Sequence, residues 1–313
     1  MTRRVSLVDV RASAVRLVAA LAVAAAAASA WAGPPAPAFI YGIDDINDIY
    51  EIDPIAKTST LALVQPAGTS NSLAYDTVRN DLFFIDSEKK LRYWSRESGT
   101  TVGEVSPTPV VTGSFNPNNA AYYNNAIWFF DFNSSVLNKI SLSYSGTGAT
   151  AVPSISAMQA FDITGMNLPG VDGVNTNTFG DIAINANTGM LYASTTRGRF
   201  YSVDITGDPT GTFSELAAPL GITNDLGLQL SFNTDYSVLY GHSYETGDWY
   251  TVALENGARA PIAEFNTLYG GKGFRDLGGA AITAVPEPSS VALACLGAGG
   301  LAWRMLRRRR QAA

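Results

Sequence analysis

Residues 73–86, LAYDTVRNDLFFID, decide the fold of this chain. A short run with a small middle residue, Leu73-Ala74-Tyr75, is followed by polar turn residues and then by the bulky run 82–85. Runs rich in aromatic and β-branched residues, separated by Asn and Asp, predict antiparallel strands joined by a tight turn. Residues 181–194, DIAINANTGMLYAS, repeat the pattern. The chain therefore contains a repeated β unit.

The run with the small middle residue occurs five times. Its copies are Leu73-Ala74-Tyr75, Ala120-Ala121-Tyr122, Ile182-Ala183-Ile184, Leu230-Ser231-Phe232 and Ala280-Ala281-Ile282. Successive middle residues stand 47, 62, 48 and 50 positions apart. A bulkier second strand and a third strand follow the first four copies, and a Gly-containing turn with a last β-rich stretch ends the unit, as at 99–102 and 257–262. Four strands at a period near 50 predict the blades of a β-propeller.

The two ends of the body complement each other. The last copy has no second strand after it, whereas 39–41, 49–52 and 61–64 look like strands two to four without a first strand. We therefore predict an all-β propeller of five blades, closed when the C-terminal strand completes the N-terminal blade. An insertion around 163–178 explains the wide spacing. A sixth, degenerate blade formed by this insertion with 152–163, and a β-sandwich, are the alternatives.

The N-terminus has the three parts of a secretory signal peptide. Four arginines precede an unbroken apolar run over 17–28, and Ala30-Trp31-Ala32 follows as an A-x-A cleavage site. We expect cleavage of this signal helix near Ala32. Arg3 and Arg4 leave the twin-arginine route as the less favoured alternative, because Ser6 stands where that signal wants a large apolar residue.

The C-terminus also has three parts. Pro-Glu-Pro precedes an apolar run over 291–303, and a basic cluster follows; the residues are Pro286, Glu287, Pro288, then Arg304, Arg307, Arg308, Arg309 and Arg310. The run is shorter than the roughly 20 residues that span a bilayer, but Met305 and Leu306 extend it and Arg304 can snorkel to the head groups. The arginines would stay in the cytoplasm, which places the body outside the inner membrane.

Together these three parts resemble the PEP-CTERM sorting signal of Gram-negative, envelope-building bacteria. The resemblance covers about the last 30 residues. In that family a membrane-embedded exosortase with a cysteine nucleophile cuts the tail and passes the protein to the cell surface or the exopolysaccharide matrix. The resemblance implies the same partners and route here: the inner membrane and exosortase first, the cell surface or matrix afterwards. A plain C-terminal transmembrane anchor is the alternative.

These signals divide the chain into a signal peptide (1–32), a propeller-like domain (33–284) and a sorting signal (285–313). The two ends hold nine of the 21 basic residues and two of the 27 acidic ones, which leaves the body with a net charge of about −13. That charge disfavours nucleic acid, and anionic lipid or polysaccharide in the absence of bridging cations. The only cysteine, Cys295, lies in the tail, so we expect core burial rather than disulfides to stabilise the body.

Candidates for chemistry in the body are few. His242 is the only histidine, it lacks a zinc-binding companion, and no G-x-S-x-G elbow accompanies it; we interpret it as a partly exposed residue at a strand end. The loop 42–48 contains Asp44, Asp45, Asn47 and Asp48, whose oxygens could bind calcium. It lacks the spacing of an EF-hand loop, so turn formation is favoured. We assign no catalytic or metal-binding residue, and calcium is the one cofactor left open.

One set of residues precedes the inner strands and should surround one mouth of the channel: Ser72, Asn119, Asp181, Gln229 and Gly279. Of these only Asp181 is charged; Asp225 and Asp276, which lie near positions 229 and 279, would have to swing in to join it. Such carboxylates and amides could hold a metal for a hydrolase or lyase, although hydrogen bonding at the strand starts is favoured.

Aromatic residues offer another possibility. Stacking on sugar rings is open to Tyr122, Tyr123, Trp128, Tyr244, Trp249 and Tyr250, although packing between blades is favoured. We therefore expect a non-enzymatic binding or structural propeller with a polysaccharide or envelope partner. An exported metal-dependent hydrolase or lyase with its site at the channel mouth is the alternative.

Overall fold

Twenty strands in five antiparallel sheets build the part of the chain that the structure describes. The computed structural model describes residues 38–54, 56–64, 72–96, 102–106, 119–130, 136–146, 151–162, 179–195, 198–207, 213–217, 227–262 and 273–282. The predicted signal peptide, the sorting tail, Asp225 and residues 163–178 lie outside these ranges. Within them, no helix has the length and apolarity needed to cross a bilayer.

Each sheet has four strands and forms one blade, numbered here from the N-terminus. Blade 1 runs β20 (Asp276–Ile282), β1 (Ala38–Ile43), β2 (Ile49–Asp53), β3 (Thr58–Leu63). Blade 2 runs β4 (Ala74–Asp76), β5 (Asp81–Ile85), β6 (Leu91–Ser95), β7 (Gly103–Glu104). Blade 3 runs β8 (Ala121–Tyr123), β9 (Ala126–Phe130), β10 (Val136–Ser145), β11 (Val152–Asp162). Blade 4 runs β12 (Phe179–Asn185), β13 (Met190–Thr195), β14 (Phe200–Asp204), β15 (Ser214–Ala217). Blade 5 runs β16 (Leu228–Phe232), β17 (Leu239–Ser243), β18 (Trp249–Val252), β19 (Arg259–Pro261).

The structure confirms the five-bladed propeller and its closure. β20 pairs antiparallel with β1, so the last strand completes the first blade as predicted. Residues 152–162 form the outer strand of blade 3 and not part of a sixth blade. The outer strand of blade 2 lies at 103–104, slightly later than the predicted 99–102, of which 99–101 fall outside the described residues.

The core consists of five apolar clusters, each shared by two neighbouring blades. Blades 3 and 4, for example, bury Trp128 and Phe130 against Leu191 and Tyr201. Blades 5 and 1 bury Trp249 against Ile40 and Leu277. The remaining three clusters join blades 1 to 2, 2 to 3 and 4 to 5. Every blade therefore buries both of its faces, which requires a closed ring.

Small residues line the innermost strands. Ala74 and Ala183 are 0% and 4% exposed, and Ser231 is 1% exposed. The inner strands crowd together around the channel, so larger side chains would not fit between neighbouring blades. This is the physical reason for the small middle residue that marks each repeat in the sequence.

Leu277→Ala tests the closure of the ring. Leu277 of β20 is 1% exposed and packs in the cluster that joins blades 5 and 1, so its truncation should lower the free energy of unfolding by about 2–5 kcal/mol. Leu61→Ala in β3 is the matched control, because Leu61 is 46% exposed, and should change it by less than about 0.5 kcal/mol. Urea unfolding of the full-length protein measures both; equal losses would contradict the closed ring.

Candidate functional site

One polar residue from each blade lies buried at the start of the inner strand. The five residues are Ser72, Asn119, Asp181, Gln229 and Asp276, with exposures from 0 to 7%. We call them the mouth residues. The sequence predicted four of them correctly but placed Gly279 in the slot of blade 1. The strand β20 contains a bulge, because Ile40 pairs with Ala280 while Tyr41 pairs with Gly278. Gly279 lies in the bulge, and the pair Gly278-Gly279 was the sequence signal for this bulge. Asp276 stands at the start of the strand.

Asp181 and Asp276 meet although their blades are not neighbours. Asp181 belongs to blade 4 and Asp276 to blade 1, with blade 5 between them, and a hydrogen bond joins the two carboxyl groups. Both side chains are fully buried. The pair therefore links two inner strands across the ring.

Backbone amides hold all four oxygen atoms of this pair. Asp276 Oδ2 accepts a hydrogen bond from the Leu73 amide at 2.5 Å, and its Oδ1 accepts one from Leu277 at 3.0 Å. Asp181 Oδ2 accepts from the Leu230 amide at 2.7 Å, and its Oδ1 accepts from Ile182 at 2.7 Å. Leu73 and Leu230 belong to the neighbouring blades 2 and 5. Each carboxyl group thus fastens its own inner strand to the next one.

Burial raises the pKa of both carboxyl groups well above the ordinary value for aspartate. The charge of Asp276 raises the pKa of Asp181 further, while the backbone amides act in the opposite direction. Two carboxyl groups in contact cannot both ionise easily, so the pair retains a proton. The hydrogen bond between the two carboxyl groups holds this shared proton.

Two serines continue the same cross-linking. Ser194 Oγ accepts from the Asp181 amide at 3.0 Å and donates to the Leu228 carbonyl of blade 5 at 2.6 Å. Ser231 Oγ donates to the Gly278 carbonyl of blade 1 at 2.9 Å. Hydrogen bonding at the strand starts, the favoured interpretation from the sequence, is confirmed. Among the described residues, no three His, Cys, Asp or Glu side chains converge as a metal site would require.

His242 lies in the core between blades 5 and 1. Its ring centroid is 4.6 Å from that of Trp249 and 5.5 Å from that of Phe274, and Nε2 accepts a hydrogen bond from the Phe274 amide at 2.8 Å. Burial lowers the pKa of His242 to about 3. The sequence-based expectation of partial exposure was wrong: the residue is 1% exposed, because its strand end is covered by the segment that leads into β20.

The acidic loop forms a hairpin turn, as the favoured interpretation predicted. Asp44 Oδ1 accepts hydrogen bonds from the amides of Ile46 and Asp48, at 3.0 and 2.9 Å. Asp86 accepts equivalent bonds in blade 2, from the amides of Glu88 and Lys90. The same turn chemistry thus serves two blades, and it explains the presence of Asp44 in the loop.

Most of the candidate aromatic side chains pack inside the ring. Trp128 and Trp249 are both 2% exposed, and Tyr122 stacks on Phe83 with ring centroids 6.0 Å apart. Tyr244 is the most exposed of the candidates, at 39%. Packing between blades, rather than an exposed stacking platform, is therefore the main role of these rings.

Comparison with protein families matches residues 284–310 to the PEP-CTERM protein-sorting motif. This confirms the resemblance seen in the sequence. The motif is the recognition signal of exosortase, and it implies export with a transient membrane anchor through the C-terminal region. The protein is thus an exported five-bladed propeller with a PEP-CTERM sorting motif.

Two solved structures are similar to the chain at low sequence identity. No curated protein matches the chain. The structure of a nidogen/laminin complex is similar with 13% identity and a TM-score of 0.45, over 79% of this chain and 98% of that one. The dihydro-heme d1 dehydrogenase NirN in complex with DHE is similar with 12% identity and a TM-score of 0.38, over 74% of this chain and 45% of that one. At these values neither structure indicates a function here.

Asp181→Asn should change how stability depends on pH. A carboxyl group whose pKa is raised by folding contributes stability that is present below its unfolded pKa and is lost as pH rises through the folded value, by up to about 1.4 kcal/mol per pH unit. The free energy of unfolding of the parent, relative to that of the variant, should therefore fall as pH rises from 4. His242, whose pKa is lowered by burial, makes the free energy of unfolding rise with pH. This contribution is the same in the parent and the variant, so it cancels in the difference between them.

Asp45→Asn is the control for this measurement, because Asp45 is exposed in the turn at 44–48. Urea unfolding at a series of pH values measures all three proteins. Asp181→Asn is also expected to be less stable at acid pH, since its amide nitrogen replaces an oxygen that accepts a backbone N–H. A parent-minus-variant difference that does not vary with pH would contradict the shared proton.

Proposed function

We propose that this protein is a non-enzymatic binding or structural propeller of the cell surface or exopolysaccharide matrix. The signal peptide is cleaved near Ala32, and exosortase recognises the tail through the sorting motif Pro286-Glu287-Pro288 and cuts it. The arginine cluster at 307–310 holds the uncut chain in the inner membrane. The observation that carries the proposal is the sorting motif on residues 284–310.

The described residues support a binding role better than catalysis. Five buried polar side chains lie at the channel mouth, and there the carboxyl oxygens of Asp181 and Asp276 accept hydrogen bonds from backbone amides. His242 is buried and its pKa is lowered, so it is poorly placed to exchange protons with a substrate. Because the mouth residues and His242 are buried, the propeller would contact a partner through its outer surface. We propose matrix polysaccharide or another envelope protein as this partner.

A metal-dependent hydrolase or lyase is the second candidate, and one observation favours it. Asp181 and Asp276 meet at the channel mouth, as a metal site built there would require. Asp225, its third proposed member, lies outside the described residues. We favour the structural role because a cation would have to displace the shared proton and compete with the four amides for the same oxygen atoms.

Substitution of the sorting motif tests the proposed route. The double variant Pro286→Ala/Pro288→Ala removes the rigid, extended peptide that precedes the apolar run. In cells that contain an exosortase, we expect the parent chain in the matrix fraction in cut form and the variant in the membrane fraction, uncut. Pro261→Ala, in β19 of the body, is the control and should behave as the parent. A variant that still reaches the matrix would contradict processing at this motif.

Calcium titration separates the two candidate functions. We expect the full-length protein, treated with a chelator, to show no saturable heat on addition of calcium and no rise in melting temperature. Calorimetry measures the first quantity and thermal unfolding the second. Tight binding that Asp181→Asn abolishes would contradict the non-enzymatic proposal and favour the metal-dependent alternative.

A further inference from the structure

A cleft of about 260 Å³ lies between blades 3 and 4, away from the channel mouth. Blade 3 contributes Tyr123, Asn124, Trp128 and Lys139, and the segment 205–207 after β14 contributes the wall from blade 4. Its volume is near the lower end for small-molecule sites, which suits a ligand of about one sugar ring. From the sequence, Tyr123 and Trp128 were expected to pack between blades, with stacking on sugar rings as the alternative.

Trp128 brings an unused hydrogen-bond donor to this wall. The residue is 2% exposed, its ring stacks on Phe161 with centroids 5.8 Å apart, and its indole Nε1 makes no hydrogen bond. A buried N–H without an acceptor is unfavourable by about 1–3 kcal/mol. Because Trp128 is a lining residue of the cleft, its unpaired N–H is a candidate partner for an acceptor group of a ligand.

Lys139 brings an unused positive charge. It lies directly opposite Trp128 in the register of β9 and β10, and its Nζ is 5.1 Å from the centroid of the indole ring. Several other cations of the described residues have carboxylate partners, as Arg92 has in Asp86 and Arg96 has in Glu51. Within the described ranges Lys139 has none, and no acidic residue lines the cleft. The cleft is therefore a local donor-rich site on an acidic protein.

We propose that this cleft binds a carboxylate-bearing sugar, such as a uronic acid unit of a matrix polysaccharide. The inference rests on the proposed matrix function and names its ligand class. The Lys139 ammonium group would pair with the carboxylate, and the indole N–H of Trp128 would donate to a ring or hydroxyl oxygen. Tyr123 and Asn124 would exchange hydrogen bonds with the sugar hydroxyl groups at the open side.

The net negative charge of the body is compatible with this ligand. Exposed charges more than about 10 Å apart are largely screened at 0.1 M salt, so an anion in the cleft responds mainly to its immediate neighbours. Among the described lining residues Lys139 is the only charged one, and the nearby Asp204 carboxylate is already held by the amide and hydroxyl groups of Thr206, at 2.8 and 2.7 Å. The negative charge of the rest of the body repels an anionic polymer elsewhere on the surface. The polymer would therefore bind only at this cleft.

The test is a titration of the full-length protein, followed by NMR of the tryptophan indole N–H groups. Glucuronate is the ligand and glucose its neutral match, because the two differ only in the carboxylate. We expect glucuronate to shift the Trp128 indole resonance, which Trp128→Phe identifies by its loss, and glucose to bind at least about tenfold more weakly. Inorganic phosphate, tested in parallel, should cause a smaller shift than glucuronate at the same concentration.

Lys139→Gln is the deciding variant, because Lys139 is partly exposed and its removal leaves the core intact. It should weaken glucuronate binding about tenfold or more, as expected for the loss of a charged hydrogen-bond partner. Lys89→Gln, with the same charge change in the turn of blade 2, is the control and should leave binding unchanged. Thermal unfolding of each variant confirms that the fold persists.

Three outcomes would overturn the inference: no shift with glucuronate, equal binding of glucose or phosphate, or unchanged binding in Lys139→Gln. Each of them is distinguishable from failure of the proposed function. If the parent chain still fractionates with the matrix, the matrix function stands and the cleft is not its sugar site.

Discussion

The pairing of β20 with β1 is the interaction on which the rest of the structure depends. It joins the last strand of the body to the first. Ala38 pairs with Ile282 at one end of the ladder, and Ile43 pairs with Asp276 at the other. A blade of this fold cannot bury both faces alone, and each apolar cluster needs two neighbours. Without β20, blade 1 would lose its inner strand, and the cores toward blades 5 and 2 would open to water. Closure therefore makes five marginal units into one cooperative body.

Polar groups complete what this pairing begins. Asp276 reaches the Leu73 amide, 203 residues away in sequence, and contacts Asp181 across the ring. Burying two carboxyl groups is costly, and the shared proton with four backbone amides offsets that cost. Apolar residues in these positions would leave the same amides without acceptors. We infer that the pair selects one arrangement of the inner strands, and thereby one blade number, more than it adds stability.

The sorting signal and the propeller body of this chain are separate segments with separate tasks. The sorting motif matches a known family over residues 284–310. A sorting signal must fit one enzyme and one membrane, so its residue types are constrained. A propeller blade must only maintain the pattern of small inner and bulky outer residues. The function of the body therefore has to be argued from individual side chains such as Trp128 and Lys139, and not from similarity.

The sequence by itself determined the blade pattern, the closing strand and the sorting tail. Each of these is local, because a strand pattern, a turn or a Pro-Glu-Pro followed by an apolar run is written in consecutive residues. Only the tertiary structure decided which distant residues meet. It put Asp276 rather than Gly279 among the mouth residues, since Asp276 accepts the same two kinds of backbone amide as Asp181 does, and it buried His242 under Phe274. It also brought Lys139 of blade 3 to the same cleft as residues 205–207 of blade 4. Such contacts depend on how twisted sheets pack around the ring, and no periodicity along the chain records that geometry.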